Sequence, residues 1–314
     1  MLKFIVAAVG WGVIVGSASA GERATAVRAV QDAKTVCIFA GERLLMEYCY
    51  TEVPFKPYVK QLYSPSGVNV LRDAPHDHLH HHALMFALGV DGVDFWAETA
   101  ACGREMNRSL EGTKSSSRNG HAVVEFTEDI DWIKPDKTVL LREQRTLRLH
   151  PHGDPAATLL TWKSRLEPAQ GKDAVTLGGS HYFGLGMRFV ESMDKGGRFF
   201  NPSGKEGEIV RGDERLLAAK WCAYTAAVGE KKVTVAVFDH PQNPRHPARM
   251  FTMARPFAYL SATLNLWKEP LVIKAGQPLL LQYGVAVCDG EVAAAQIERL
   301  YKEWLALIDA REGS

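Results

Sequence analysis

Short apolar runs separated by turn residues recur along the whole chain. Residues 35–39 and 44–50 flank Gly41-Glu42 and predict a hairpin. The strand signal continues at 58–63, 84–88, 121–127, 138–149, 157–167, 173–177, 233–238, 257–264 and 279–288. In 138–149, Arg142, Gln144, Thr146 and Arg148 alternate with Leu141, Glu143, Arg145 and Leu147. That two-residue period predicts a long strand with a partly polar face. Residues 22–34 are polar and alanine-rich and predict a leader into the fold, and 112–120, rich in Ser, Lys and Gly, predict an exposed loop. Helical spacing is convincing only over 291–311, where Val292, Ile297, Leu300, Trp304 and Leu307 fall near one face. The pattern predicts a mainly all-β chain: one large antiparallel β-sandwich over 21–314 that ends in the 291–311 helix. A split into two domains near 112–120 is the alternative.

The first twenty residues change that picture. Lys3, an apolar stretch over 5–15 and Ser17-Ala18-Ser19-Ala20 predict an export signal with a small-residue cleavage site. Export to the periplasm or the extracellular space follows. The apolar stretch is shorter than the roughly 20 residues of a membrane-spanning helix, so no span is expected after cleavage. The chain carries 37 basic and 36 acidic side chains. That balance argues against nucleic acid as a partner and leaves room for a small-molecule or oligosaccharide substrate. Cys37, Cys49, Cys102, Cys222 and Cys288 match no zinc-site spacing and read mainly as small buried hydrophobes.

Five of the eleven histidines stand within 76–82, in Pro75-His76-Asp77-His78-Leu79-His80-His81-His82. Imidazoles serve as metal ligands and as acid–base groups near neutral pH. Two readings compete for His78, His80 and His81. In one, two imidazoles and a carboxylate such as Asp77 or Asp239 hold a divalent metal, with Asp77, His78 and His80 as the set; on a strand, an i, i+2 pair of histidines points the same way. In the other, a histidine and a carboxylate such as Asp239 exchange protons with a substrate and no metal is needed. A second cluster, Asp239, His240, Asn243, Arg245 and His246, follows a strand end and is expected to form the other wall of one site. Arg188, behind the Gly184-Leu185-Gly186 segment, and Trp96 are further candidates for binding substrate. Trp221 and Trp267 are candidates for stacking on a sugar face.

Asp77-His78-Leu79-His80-His81, with Met85-Phe86, Gly89 and Gly92-Val93-Asp94-Phe95-Trp96, resembles the signature of the PmoA-like family of exported bacterial proteins. Three further blocks agree in order: residues 183–188, 238–247 and 284–290. The resemblance covers roughly 35–290. It departs from the family motif at Leu79, His82 and Ala83, where the family has proline, arginine and glycine, and at Cys288, where it often has histidine. The family carries the label methane oxygenase, yet a membrane oxygenase subunit needs spanning helices. The resemblance therefore implies a sandwich similar to the galactose-mutarotase-like supersandwich, whose relatives handle carbohydrate. The expected function is acid–base chemistry on a sugar at the histidine loop, of the epimerase, lyase or hydrolase type, with or without a metal. A non-catalytic carbohydrate- or metal-binding protein and a metal-dependent oxidoreductase are the alternatives.

Overall fold

The computed structural model describes residues 27–118, 121–153 and 156–312. The export signal read in residues 1–20 lies outside them. Alternating and apolar segments become strands β1 (Val27–Gln31), β2 (Thr35–Ala40), β3 (Arg43–Cys49), β4 (Tyr58–Leu62), β5 (Leu84–Ala87), β6 (Gly89–Val90) and β7 (Val93–Asp94). Longer strands follow: β8 (Arg104–Arg118), β9 (His121–Ile133), β10 (Val139–His152) and β11 (Ala157–Pro168). Next come β12 (Ala174–Gly178), β13 (Gly184–Arg188), β14 (Arg198–Phe200), β15 (Glu208–Arg211), β16 (Glu214–Ala218) and β17 (Trp221–Val228). The chain continues through β18 (Lys231–Asp239), β19 (Arg249–Met253), β20 (Tyr259–Thr263), β21 (Leu271–Lys274) and β22 (Leu279–Asp289) into helix α1 (Ala294–Glu312).

Among the described residues the strands form a ten-stranded sheet, β1-β2-β3-β4-β5-β13-β20-β19-β16-β15, and an eight-stranded sheet, β14-β17-β18-β22-β11-β10-β9-β8. A smaller sheet runs β21-β12-β6-β7. Adjacent strands pair antiparallel, and the protein is an antiparallel β-sandwich with a C-terminal helix. The two large sheets share one core: Tyr48 of β3 lies 5.3 Å from Phe126 of β9, and Phe86 of β5 lies 6.1 Å from Trp132 of β9, between ring centroids. Among the described residues no helix is long and apolar enough to cross a membrane.

Two segments read as irregular are strands. Within 22–34, residues 27–31 pair with β2, and only Val27 is buried, so an outermost strand needs little apolar content. Residues 112–118 continue β8 against β9 as the edge of the eight-stranded sheet; an edge strand can be polar on both faces. Residues 119–120 of that expected loop lie outside the described set.

The period-two pattern of β10 is present, but its charged pair faces inward. Leu141, Glu143, Arg145, Leu147 and Leu149 are all buried. Arg145 donates to both oxygens of Glu143 at 2.8 Å, to Glu105 Oε2 at 3.0 Å, to Tyr48 Oη at 3.2 Å and to the Pro57 carbonyl at 3.0 Å. Tyr48 in turn donates to Glu128. A buried charge is tolerated when it is paired and bonded in this way.

Helix α1 begins three residues later than the spacing suggests. The Gln296 side chain accepts from the Ala293 N–H at 3.1 Å and caps the first turn. The helix lays Ile297, Leu300, Tyr301 and Trp304 on the outer face of the eight-stranded sheet, against Ala157, Leu159, Phe238 and Ala286. A Cβ on Gly284 would stand 2.8 Å from Trp304, so this position requires glycine.

Candidate functional site

The histidine loop is a closed turn structure. Asp73 and His82 bridge across its neck, and the Ala74 N–H donates to the His81 carbonyl at 3.0 Å. Inside it, His78 N–H donates to Pro75 O and His81 N–H to His78 O, both at 2.9 Å. These two successive turns replace the strand expected through His78 and His80. His78 therefore stacks on His81, three residues on, with ring centroids 4.6 Å apart and planes 21° apart. His80 meets His81 edge-on at 4.6 Å.

His82 locks the loop. Its Nδ1 stands 2.8 Å from Asp73 Oδ1, and its Nε2 makes an ion-pair contact with Glu98 Oε1 at 3.0 Å. Glu98 also accepts from the buried Lys56 at 2.7 Å, and Tyr58 donates to Asp73 at 2.9 Å. Burial pulls the His82 pKa down, but the bonds to Asp73 and Glu98 more than offset it and hold His82 above its ordinary value. The same pairing with His82 and Lys56 overcomes burial and holds Glu98 below the usual carboxylate range.

A cavity of about 530 Å³ opens beside the loop, within the range of roughly 300–1,000 Å³ of small-molecule sites. His78, His80 and His81 line one wall. Trp96, Tyr182, Phe251, Phe257 and Tyr259 supply aromatic surface. Arg211, Asp213 and Glu214, at the turn from β15 to β16, and Arg255 line the far side. The register explains the floor: Gly186, Ser261, Phe251 and Leu216 are cross-strand partners on one face, and Phe86 and Leu185 on the other face meet the second sheet. The cavity thus lies on the outer face of the ten-stranded sheet. A Cβ on Gly186 would stand 2.1 Å from Tyr259 Oη, so this glycine lets the tyrosine lie flat across β13.

The cavity's titratable groups differ in kind. Burial, with the charges of His80 and His78, pushes His81 down to about 2, so it is neutral throughout the physiological range. Burial and His78 also lower His80, which is half-buried and reachable from the cavity. Glu214 Oε2 stands 2.9 Å from His181 Nε2, and Glu214 Oε1 accepts from Arg211 at 2.6 Å. Asp213 accepts from Arg255 at 3.2 and 3.3 Å, and this bonding holds it below its usual range. Burial raises Tyr259 far above its usual range, so it carries its proton.

Of the residues singled out in the sequence, His78, His80, His81 and Trp96 line this cavity. Trp96 is also stacked on Phe183, with centroids 5.0 Å apart and planes 9° apart. Arg188 stands behind the loop, 1% exposed. Its guanidinium lies 3.5 Å from the Phe257 ring centroid and 3.3 Å from Asp77 Oδ2, so it positions those groups. Asp77, His78 and His80 do not fit a metal. The Asp77 oxygen that approaches His78 at 3.2 Å also faces the Arg188 cation, and among the described residues no three His, Cys, Asp or Glu side chains converge as ligands.

The Asp239–Pro247 loop is not the opposite wall. Arg249, which follows it, pairs with Thr263, and Thr263 with Gly184. The histidine loop enters at the other end of the same strands, where Ala83 O accepts from Arg188 N and Arg188 pairs with Tyr259. Four residues of strand, about 13 Å, separate the two ends. The loop's polar groups are engaged internally. Asp239 accepts from Asn243 and from Ala248 N at 2.7 Å and stands 2.7 Å from His246 Nδ1. Asn243 accepts from Gln282 N at 2.7 Å, and Arg245 donates to Leu264 O at 2.8 Å. His240 stands edge-on to Trp304 of the helix at 5.9 Å. This is a corner that ties two sheets together, and none of Asp239, His240, Asn243, Arg245 and His246 lines the cavity. Trp221 is core, bonded to Glu298 of α1, whereas Trp267 is 40% exposed.

Comparison with known proteins adds the family. Residues 35–302 match a family model described as a family of unknown function, DUF6807. The chain belongs to the DUF6807 family. The resemblance to the PmoA-like family finds no support in the comparisons. No curated protein matches this DUF6807 chain. Among solved structures it is similar to an α-galactosidase from Lactobacillus brevis: 7% identity, TM-score 0.47, 86% of this chain and 40% of that one. It is also similar to a galactose mutarotase related enzyme from Lactobacillus acidophilus: 8% identity, TM-score 0.40, 84% of this chain and 97% of that one. A GH36 α-galactosidase from Geobacillus stearothermophilus is similar at 10% identity and TM-score 0.41, over 84% of this chain and 41% of that one. The DUF6807 chain thus spans about two fifths of the length of these galactosidases.

Proposed function

We propose that the cavity on the ten-stranded sheet binds a saccharide ring and that His80, with His78, exchanges protons with it. The observation that carries this reading is the lining. Phe251, Phe257 and Trp96 line it together with imidazoles and carboxylate–arginine pairs. A sugar ring needs that combination, since its C–H face packs on aromatic carbon and its hydroxyls need donors and acceptors. His80 is neutral near pH 7 and accepts a proton from a hydroxyl or from a carbon beside a carbonyl. His81 is buried and neutral and holds the stack with His78. Ring opening, epimerisation or elimination all begin with such a transfer. Export, read from residues 1–20, belongs to the same proposal.

One observation favours a second reading, a binding protein without turnover. Both carboxylates of the far wall, Asp213 and Glu214, are already engaged with arginine or histidine. Thermal unfolding with a panel of mono- and oligosaccharides, followed by NMR of the stabilising sugar, separates the readings. The catalytic reading expects a sugar that raises the Tm and is converted, and a His80→Gln variant that still binds and no longer converts it. A sugar that binds and is never converted establishes the second reading. No stabilisation by any sugar overturns both.

A further inference from the structure

A second cavity, of about 420 Å³, adjoins the first and shares Asp213 and Arg255 with it. Arg215 and Leu217 of β16 and Met250 and Thr252 of β19 line it. These residues alternate with Glu214, Phe251 and Met253 of the first cavity. The two cavities therefore lie on opposite faces of the same strands and meet around the strand ends, at the Asp213–Arg255 pair. That pair does not close the passage firmly. Arg255 has 82% of its side chain exposed, and an exposed ion pair is weak and screened.

The second cavity differs from the first in charge. Arg198, Lys205, Arg215 and Arg255 line it against Glu206 and Asp213, and Asp213 is engaged by Arg255. Four cations against two anions stand out in a chain whose totals are 37 and 36. Arg215 is held in place by the carbonyls of Gly212, at 2.7 Å, and Glu214, at 3.1 Å, which fix its charge without neutralising it. Arg198 lies over the Phe200 ring at 5.2 Å and meets the half-exposed Glu291 at 3.6 Å, so its charge is weakly paired. A concave site with fixed and mobile cations selects an anionic group.

Resting on the saccharide reading above, we propose that this site takes an acidic oligosaccharide. One ring sits in the aromatic cavity, the chain passes the Asp213–Arg255 pair, and a carboxylate or sulfate ester is held by Arg198, Lys205 and Arg215. The test uses matched probes: oligouronates against their carboxyl-reduced forms, and sulfated oligosaccharides against their desulfated forms. Calorimetric titration measures each at low and high salt. The expected result is roughly tenfold tighter binding of an acidic member over its neutral partner at low salt. That preference shrinks as salt rises. Arg198→Glu with Lys205→Glu, both exposed positions whose change leaves the fold and its Tm intact, abolishes the preference without altering the neutral partner's Kd. Equal binding of the matched partners overturns the inference and leaves the saccharide reading standing. So does a preference that survives in the double variant. Binding of no member of any pair overturns the inference, and the saccharide reading is then decided separately by the panel of mono- and oligosaccharides.

Discussion

Glu105 offers a direct check on the buried charge network. Its side chain is fully buried, and its Oε2 accepts from Arg145 at 3.0 Å, while among the described residues Oε1 has no hydrogen-bond partner. Burial, only partly countered by Arg145 and reinforced by Glu143, pushes its pKa from 4.5 up to about 8. A carboxyl whose folded pKa is raised contributes its stability fully below the unfolded value. That contribution is lost as pH rises toward the folded value, because the unfolded chain gives up a proton that the folded chain keeps. Each pH unit in this window is worth about 1.4 kcal/mol, so by pH 7 the wild type has lost roughly 3 kcal/mol relative to pH 4.5 through this group alone. Glu105→Gln keeps an acceptor for Arg145 and cannot titrate. Urea unfolding of both proteins at half-unit steps from pH 4.5 to 9 gives the difference curve, in which the other titrating groups cancel. The wild-type advantage should fall by about 3 kcal/mol between pH 4.5 and 7 and level off above pH 8. Parallel curves would mean that Glu105 is ionised against Arg145 throughout, and would refute the account.

Three further outcomes are expected. His82→Ala should cost about 3 kcal/mol by opening the Asp73–His82–Glu98 chain. Because the folded His82 pKa is raised, the loss in urea unfolding is larger at pH 6 than at pH 9; an equal loss at both would show an uncharged role. Gly186→Ala places a Cβ on Tyr259 and should cost roughly 1–3 kcal/mol, with weaker saccharide stabilisation; an unchanged Tm would show that the ring gives way freely. All five cysteines are free in the fold, and burial pushes Cys222 and Cys288 up to about 12. Thiol titration should count five in denaturant, with Cys222 and Cys288 silent in the native protein; fewer than five in denaturant would reveal a disulfide.

The long alternating strands were legible because each carries enough apolar residues to mark its buried face. Strands such as β15, Glu-Ile-Val-Arg, and β19, Arg-Met-Phe-Thr-Met, are too short for a period to stand out. Alternation also placed Glu143 and Arg145 on one face of β10 without saying that this face is the dry one. At the site, a dense run of histidines announced itself, whereas the opposite wall looks like an ordinary charged turn. Arg211-Gly212-Asp213-Glu214 does sit between two short alternating segments, and a hairpin reading there was the available signal. The Asp239–Pro247 loop misled for the opposite reason. Polar residues among prolines look like a binding loop, but here they satisfy backbone groups at a corner, a role that only contacts reveal.

The cavity's floor also bears on how the chain acquires its fold. β5, β13 and β20 lie side by side, yet they come from residues 84–87, 184–188 and 259–263. Their pairing must wait until segments many tens of residues apart meet, and such distant closures make folding slow. Until β13 arrives, β5 presents an unpaired edge whose four residues are all apolar. Newly made chains are therefore open to edge-to-edge association during that interval, and the cavity floor is completed only when these distant segments have met.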